Sequence, residues 1–221
     1  AKLQATYVVG LDSVVNEKTR RIHSHFNQTV TNTGRLSSTE PNLQNIPVRT
    51  ELGRELRKMF AAERSDWCLI DADYSQIELR VLAHIADDEE MKQAFKSGED
   101  IHTQTAATVF KVPFEEVTPQ MRSRAKAVNF GIVYGIGAFS LAQDIGTTRK
   151  EAQKYIDGYL AHYHKVAEYM QKTVEDAKKD GYITTILGRR RYIPELSSSS
   201  HNVRAFGERV AMNAPIQGSA A

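Results

Sequence analysis

The sequence predicts an α+β fold, with long helical stretches and a few short strand-forming runs along the chain. Three observations carry this. Residues around 120–134 and 148–179 have the charge-laced, four-step repetition of helices. Residues 22–30, 67–70 and 182–187 are short runs of strand formers. Neither a G-x-x-x-x-G-K-[ST] nor a G-x-G-x-x-G pattern occurs, so the glycines at 131, 135 and 137 argue against a Walker or Rossmann site.

A chain of 221 residues can bury a sizeable core, as one large domain or two small ones. With 41% hydrophobic and 25% charged residues it reads as globular and not disordered. Net charge is only +2, so nucleic-acid binding would have to rest on local clusters such as Arg189, Arg190 and Arg191, or Arg122 and Lys126. Cys68 is the single cysteine, which excludes an internal disulfide framework. It stands in an apolar run, and a buried thiol is expected. No apolar run approaches membrane-spanning length and no signal-peptide pattern opens the chain, so a cytoplasmic protein is expected. The chain lacks an initiator Met and begins in amphipathic-looking sequence, as an internal fragment would.

Taken in order, residues 2–15 read as a short helix or extended segment, followed by a turn at Asn16-Glu17-Lys18. In the expected strand 22–30, His23 and His25 share a face, but no cysteine or carboxylate stands close in sequence to complete a metal site. Residues 33–49 are a polar loop rich in amides and arginines. Such side chains suit groove and phosphate contacts, or they bond their own backbone. A helix is expected over 51–58, then the apolar strand 67–70, then Asp71 and Asp73, then a helix over 77–86. A carboxylate between a buried strand and a helix can hold a hard divalent cation, or it caps the helix. Glu78 falls inside that helix as a polar-face residue, and short helices with loops follow to Thr118. His102, near one helix start, could reach a phosphate or act as a structural hydrogen-bonder.

The next helix is expected from about Gln120, with Pro119 in its first turn and Thr118 as cap. Arg122, Lys126, Phe130 and Tyr134 climb one face in steps of four. Two cations followed by two rings suit a polyphosphate joined to a flat base and sugar. They equally suit a basic helix end running into core. The helical stretch 148–179 ends at Asp180-Gly181, and its His162 and His164 face different ways. A strand over 182–187, a turn at Gly188, a polar loop over 197–200 and a last helix over 204–212 complete the chain. Arg209, Asn213 and Gln217 form a second four-step stripe if that helix continues through or beyond Pro215.

Together these stretches resemble the family A DNA polymerases. Asp73-Tyr74-Ser75-Gln76-Ile77-Glu78-Leu79-Arg80 resembles the family's motif A, and Arg122-x-x-x-Lys126-x-x-x-Phe130-Gly131-x-x-Tyr134-Gly135 resembles motif B. Residues 33–49 resemble the segment that contacts primer and template, and Glu208-Arg209 through Gln217-Gly218-Ser219 resembles the helix that follows the template strand. Four motifs in the family's order cover nearly the whole chain. The resemblance implies a partial right hand. The end of the thumb and entry to the palm would occupy residues 1–21, and the antiparallel-sheet palm with motif A residues 22–86. Mainly helical fingers would span 87–190, with a return to the palm over 191–221.

The resemblance further implies two Mg²⁺ ions, bound by Asp73 and the backbone carbonyl of Tyr74, and nucleotidyl transfer onto a DNA primer. Ser75, Gln76, Ile77, Glu78, His102, Arg122, Lys126, Phe130 and Tyr134 would bind the incoming dNTP. Within that set, Lys126 is the implied proton donor to pyrophosphate, Glu78 the gate against a ribose 2′-hydroxyl, and Tyr134 the pivot by the templating base. Phe130 would pack on sugar and base and discriminate against nucleotides lacking a 3′-hydroxyl. Arg35, Asn42, Gln44, Asn45, Arg49, Arg209, Asn213 and Gln217 would touch primer-template DNA, several from the minor groove, where the acceptor pattern is shared by all correct pairs. The implied parent is a monomeric enzyme of DNA replication and repair.

Two departures stand out. Ser123 follows Arg122 where many relatives have a second arginine, and no His-Asp-Glu run, the source of the second metal-binding aspartate, occurs. The chain alone is therefore expected to lack polymerase activity. A phage-type single-subunit RNA polymerase is the nearest rival, opposed by Glu78 at the gate. A non-catalytic nucleic-acid-binding module is opposed by the intact Asp73, Lys126 and Tyr134.

Overall fold

Most of the strand-forming sequence finds no partner strand, and the chain folds chiefly into helices joined by short connections. The computed structural model describes residue 7, residues 9–47 and residues 51–221, in two units, 1–74 and 75–221.

The first unit opens on a single helical turn, α1 (Gly10–Asp12). The expected turn at Asn16 is present, with its Oδ1 accepting from the backbone N–H of Lys18 and Thr19 at 3.0 Å each. β1 (His25–Asn27) pairs antiparallel with β2 (Ser37–Thr39), with His25 opposite Thr39. β1 thus covers three residues of the expected strand 22–30, and Ile22 forms an isolated bridge with Val15. α2 (Glu51–Arg57) supplies Leu56 to a small core with Tyr7 and Leu11, flanked by Ile22, Ile46 and Phe60.

Residues 67–70 form no strand, contrary to expectation. Trp67 is 56% exposed, Ile70 88%, and Cys68 is exposed where a buried thiol was expected. A strand satisfies its backbone only through a neighbouring strand, and none of the described strands pairs with this run.

The second unit holds α3 (Ile77–Ile85), α4 (Glu89–Lys96), α5 (Ile101–Phe110), α6 (Pro119–Val133), α7 (Ala138–Ile145), α8 (Arg149–His162) and α9 (His164–Asp180). β3 (Tyr182–Thr184) and β4 (Arg190–Tyr192) then form a hairpin, and α10 (His201–Ala220) closes the unit. Side chains cap the starts as local chemistry dictates: Asp88 on Met91, Thr118 on Met121 and Thr148 on Glu151. α7 has no counterpart among the expected elements. It runs between Gly137 and Gly146, and the latter ends it at φ +66°.

The long helical stretch 148–179 is two helices, broken at Tyr163 with φ −92° and ψ 65°. Its ring is buried edge-on against Tyr159 at 4.9 Å. α10 passes straight through Pro215. The interior proline costs about 3 kcal/mol in an exposed helix. Here burial of Ala214, Pro215 and Ile216 outweighs it.

The main core joins α3, α5, α6, α8 and α9 through Leu79, Leu82, Ile101, Val128, Val133, Tyr159 and Val166. A second cluster packs the hairpin under α10, with Ile183, Ile193 and Ala211 at its centre. No helix among the described residues is long and apolar enough to cross a membrane. Among the described residues the fold is mostly helical with two small antiparallel two-stranded sheets.

Candidate functional site

The four-step stripe survives folding and faces α5 and α3. α6 starts where Thr118 Oγ1 accepts from Met121 N–H at 3.2 Å, and Pro119 needs no N–H partner in the first turn. Its buried side, Ala125, Val128, Ile132 and Val133, is held in the main core. The opposite side therefore projects Arg122 and Lys126, with Phe130 half-buried between core and surface.

Asp100 organises the cationic end. Its carboxylate caps α5, accepting from Thr103 N–H at 2.9 Å and Thr103 Oγ1–H at 2.6 Å. The same carboxylate takes a two-point grip from Arg122, Nε at 2.7 Å and Nη2 at 3.0 Å. Burial works to raise the Asp100 pKa, but the hydrogen bonds from Arg122 and Thr103 prevail and hold it at about 2. Lys126 is exposed and, among the described residues, makes no hydrogen bond or salt bridge.

His102 is buried at 2% exposure, its ring 5.8 Å from that of Phe130. Its Nδ1 lies 3.0 Å from Asn129 Nδ2, and Asn129 Nδ2 also reaches Thr105 Oγ1 at 3.1 Å. Burial, above all, lowers the His102 pKa to about 4; Asp100 opposes this, and the Arg122 and Lys126 charges add to it. At the aromatic end, the Tyr134 hydroxyl donates to Glu78 Oε2 at 2.8 Å, and Glu78 is 6% exposed. The carboxylate read as a polar-face residue is thus buried and tied across from α3 to the end of α6.

Both perturbed groups predict acid sensitivity. His102 binds a proton near pH 6.5 when unfolded but near 4 when folded, so stability present above pH 6.5 is lost as pH falls toward 4. That loss amounts to about 3 kcal/mol at most. Asp100, held below its ordinary 3.8, adds a second loss as pH falls from there toward 2. Urea unfolding at pH 7, 5.5 and 4.5 should show falling stability, and His102→Gln should flatten that slope. An unchanged slope would contradict a neutral buried His102.

The remaining expected site residues are distributed as follows. Asp73 and Tyr74 are exposed, and Ser75 carries its carbonyl to Arg80 Nε at 2.9 Å. Gln76 takes the left-handed conformation, φ +55°, that turns the chain into α3 at Ile77. An exposed carboxylate and a backbone carbonyl are hard oxygen donors of the kind Mg²⁺ takes. Among the described residues, no three His, Cys, Asp or Glu side chains converge as a metal site.

In the polar loop, Asn42 Oδ1 accepts from Gln44 N–H and Gln44 Nε2 donates to Leu36 O, both at 2.9 Å. Each of these two amides thus makes one hydrogen bond within its own loop. Asn45 lends its carbonyl to the Tyr7 hydroxyl. Arg35 lies between the strands, and Arg49 is outside the described residues. On α10, Arg209 is exposed with its guanidinium 5.8 Å over the Phe206 ring, Asn213 donates to Val133 O at 3.2 Å, and Gln217 is half-buried.

Sequence reasoning missed Asp100, Thr105 and Asn129. The first had a signal, an aspartate three residues before a threonine at a helix start. Asn129 had a weaker one, a poor helix former in mid-helix with nothing to cap.

Against known proteins, DNA polymerase family A matches residues 1–221. DNA polymerase I of Bacillus caldotenax and of Bacillus subtilis (strain 168) are each 57% identical over 220 residues. Thermostable DNA polymerase I of Thermus aquaticus is 49% identical over 220 residues. These alignments cover 100% of this chain and 25–26% of each relative, so the chain spans about a quarter of their length. The POL domain of Pol1 from M. smegmatis, in complex with DNA primer-template and dNTP, superposes with a TM-score of 0.88 and 48% identity, covering 99% of this chain and 38% of that one.

Proposed function

This chain belongs to DNA polymerase family A, and from that premise we propose that it carries the nucleotide-binding face of a template-directed DNA polymerase. One observation supports this most: a single face of α6 presents Arg122, Lys126, Phe130 and Tyr134, with buried His102 beside the cationic end and buried Glu78 bonded to the aromatic end. A dNTP has the matching order of charge, sugar and base.

In this reading residues 22–86 and 191–221 are palm, residues 87–190 are fingers, and residues 1–21 lead from the thumb. Arg122, Lys126 and His102 hold the triphosphate, Ser75, Gln76 and Ile77 line its sugar side, and Phe130 packs on sugar and base. Arg122 then exchanges all or part of its Asp100 contact for phosphate, which a bidentate guanidinium suits. Asp73 and the Tyr74 carbonyl would hold Mg²⁺, which when bound supplies charge neutralisation for the departing phosphates. Lys126 donates the proton that the leaving pyrophosphate oxygen needs. The exposed Arg209 and the other stripe residues of α10, with Arg35, Asn42, Gln44, Asn45 and Arg49, contact primer-template DNA. The enzyme acts as a cytoplasmic monomer in replication and repair.

The test is primer extension by Bacillus subtilis DNA polymerase I carrying this chain in place of its matching 220 residues. Incorporation that vanishes with Asp73→Asn is expected, and an active Asp73→Asn enzyme would refute the assignment. In the same enzyme, Glu78→Ala should lower selection of dNTP over rNTP by roughly 10²-fold, because the buried carboxylate no longer fills the 2′ position. Tyr134→Phe, which removes one hydrogen bond to the carboxylate and leaves it in place, should lower it less. Unchanged sugar selection in Glu78→Ala would remove Glu78 from the gate.

A further inference from the structure

We infer that Asn129 is a positioning residue that fixes the tautomer of His102, so that the imidazole presents Nε2–H to the triphosphate. The inference rests on the proposed role of His102 as a phosphate ligand, and it names the group that makes His102 a donor. Asn129 is fully buried inside α6, Thr105 is 1% exposed and His102 is 2% exposed, so their hydrogens must find protein acceptors.

The hydrogens can be assigned in sequence. Thr105 Oγ1 lies 2.8 Å from Ile101 O, its shortest contact, and gives its one proton there. Its oxygen is then left to accept, so Asn129 must turn its amide nitrogen, 3.1 Å away, toward it. The 3.2 Å approach of Thr105 Oγ1 to Asn129 Oδ1 is the longer, weaker alternative. The second Nδ2 hydrogen of Asn129 faces His102 Nδ1 at 3.0 Å. Nδ1 must therefore carry the lone pair, and the ring proton sits on Nε2. A neutral imidazole is what this burial favours, and a neutral histidine donates from one nitrogen only. The wrong tautomer would turn a lone pair toward phosphate oxygen.

Asn129 is thus linked to both the cap turn of α5 and the phosphate-facing ring, while standing next to Phe130 on α6. It touches no substrate atom. Its effect runs through His102.

The test is nitrogen-resolved NMR of the His102 ring in the 221-residue chain at pH 8, with and without dGTP and Mg²⁺. The wild-type ring should show protonated Nε2 and unprotonated Nδ1. Asn129→Asp, which can only accept, should move the proton to Nδ1. Asn129→Leu, neutral and unable to donate, should give a mixture and weaken dGTP binding about tenfold, as loss of one charge-assisted hydrogen bond does. A wild-type ring protonated at Nδ1, or a tautomer unchanged in Asn129→Leu, would overturn the inference. The wild-type spectrum needs no substitution, so the inference can be refuted even if a variant unfolds. If the tautomers behave as assigned but dGTP leaves the His102 signals and the binding of both variants unchanged, the phosphate role of His102 is wrong, and the functional half of the inference falls with it.

Discussion

Lys126→Ala is expected to slow nucleotide incorporation by on the order of 10²–10³-fold in the chimeric enzyme, with a much smaller change in primer-template binding. Lys126 is the one stripe cation without a partner in the structure among the described residues, while Arg122 is engaged by Asp100. An ammonium that gives up no internal ion pair on meeting phosphate loses little on binding and retains its full charge for the developing pyrophosphate. Lysine can also release a proton, which arginine effectively cannot. Lys126→Arg should therefore retain most of the nucleotide affinity while recovering little of the rate. Single-turnover incorporation across nucleotide concentrations separates the two effects. A Lys126→Arg enzyme at wild-type rate would reduce the role of Lys126 to charge alone.

Gly135→Val should destabilise the chain by about 3 kcal/mol or more, with loss of the geometry at Tyr134. Gly135 follows the end of α6 at φ +65°. A residue with a Cβ pays about 1–2 kcal/mol in that region, more when β-branched. The Cβ would also meet Met212 Cε at 2.9 Å, Arg209 Cγ at 3.0 Å and the Arg209 backbone Cα at 3.4 Å. The methionine end can swing away, but Arg209 Cγ stands close to the α10 backbone and has little room to give. Overpacking of this kind costs a further 1–3 kcal/mol or so.

Gly98 supplies the control. It has φ +75° with nothing within 4 Å of an added Cβ, so Gly98→Val carries the conformational strain alone. Urea unfolding of both variants isolates the α6–α10 contact. Equal losses would show that α10 does not press on this turn. The contact matters for function because Asn213 of α10 bonds Val133 O one residue before Tyr134, so the same packing sets where the Tyr134 hydroxyl meets Glu78.

How far the site was legible varies by residue. α6 was readable almost to the residue because its cap, its first-turn proline and its four-step stripe are all interactions between near neighbours in sequence. Asp73 and the stripe residues were readable as motifs. The buried pairing of Glu78 with Tyr134 was not, since 56 positions separate them. Nor was the Asp100–Arg122 grip, which spans 22. The self-bonded Asn42 and Gln44 show the limit of residue type as evidence, because the same amide serves a groove or its own loop.

By itself, then, the sequence determined where α6 begins and ends, the order of the motifs and the family, all of which depend on local capping chemistry and short spacings. Only the tertiary structure decided the rest. It left residues 67–70 exposed because no described strand pairs with them, and carried α10 through Pro215 because its neighbours are buried. It also set Asn129 against His102, 27 residues away. In each case the deciding energy is burial or a hydrogen bond between distant residues, and no local pattern encodes which partner a buried group will meet.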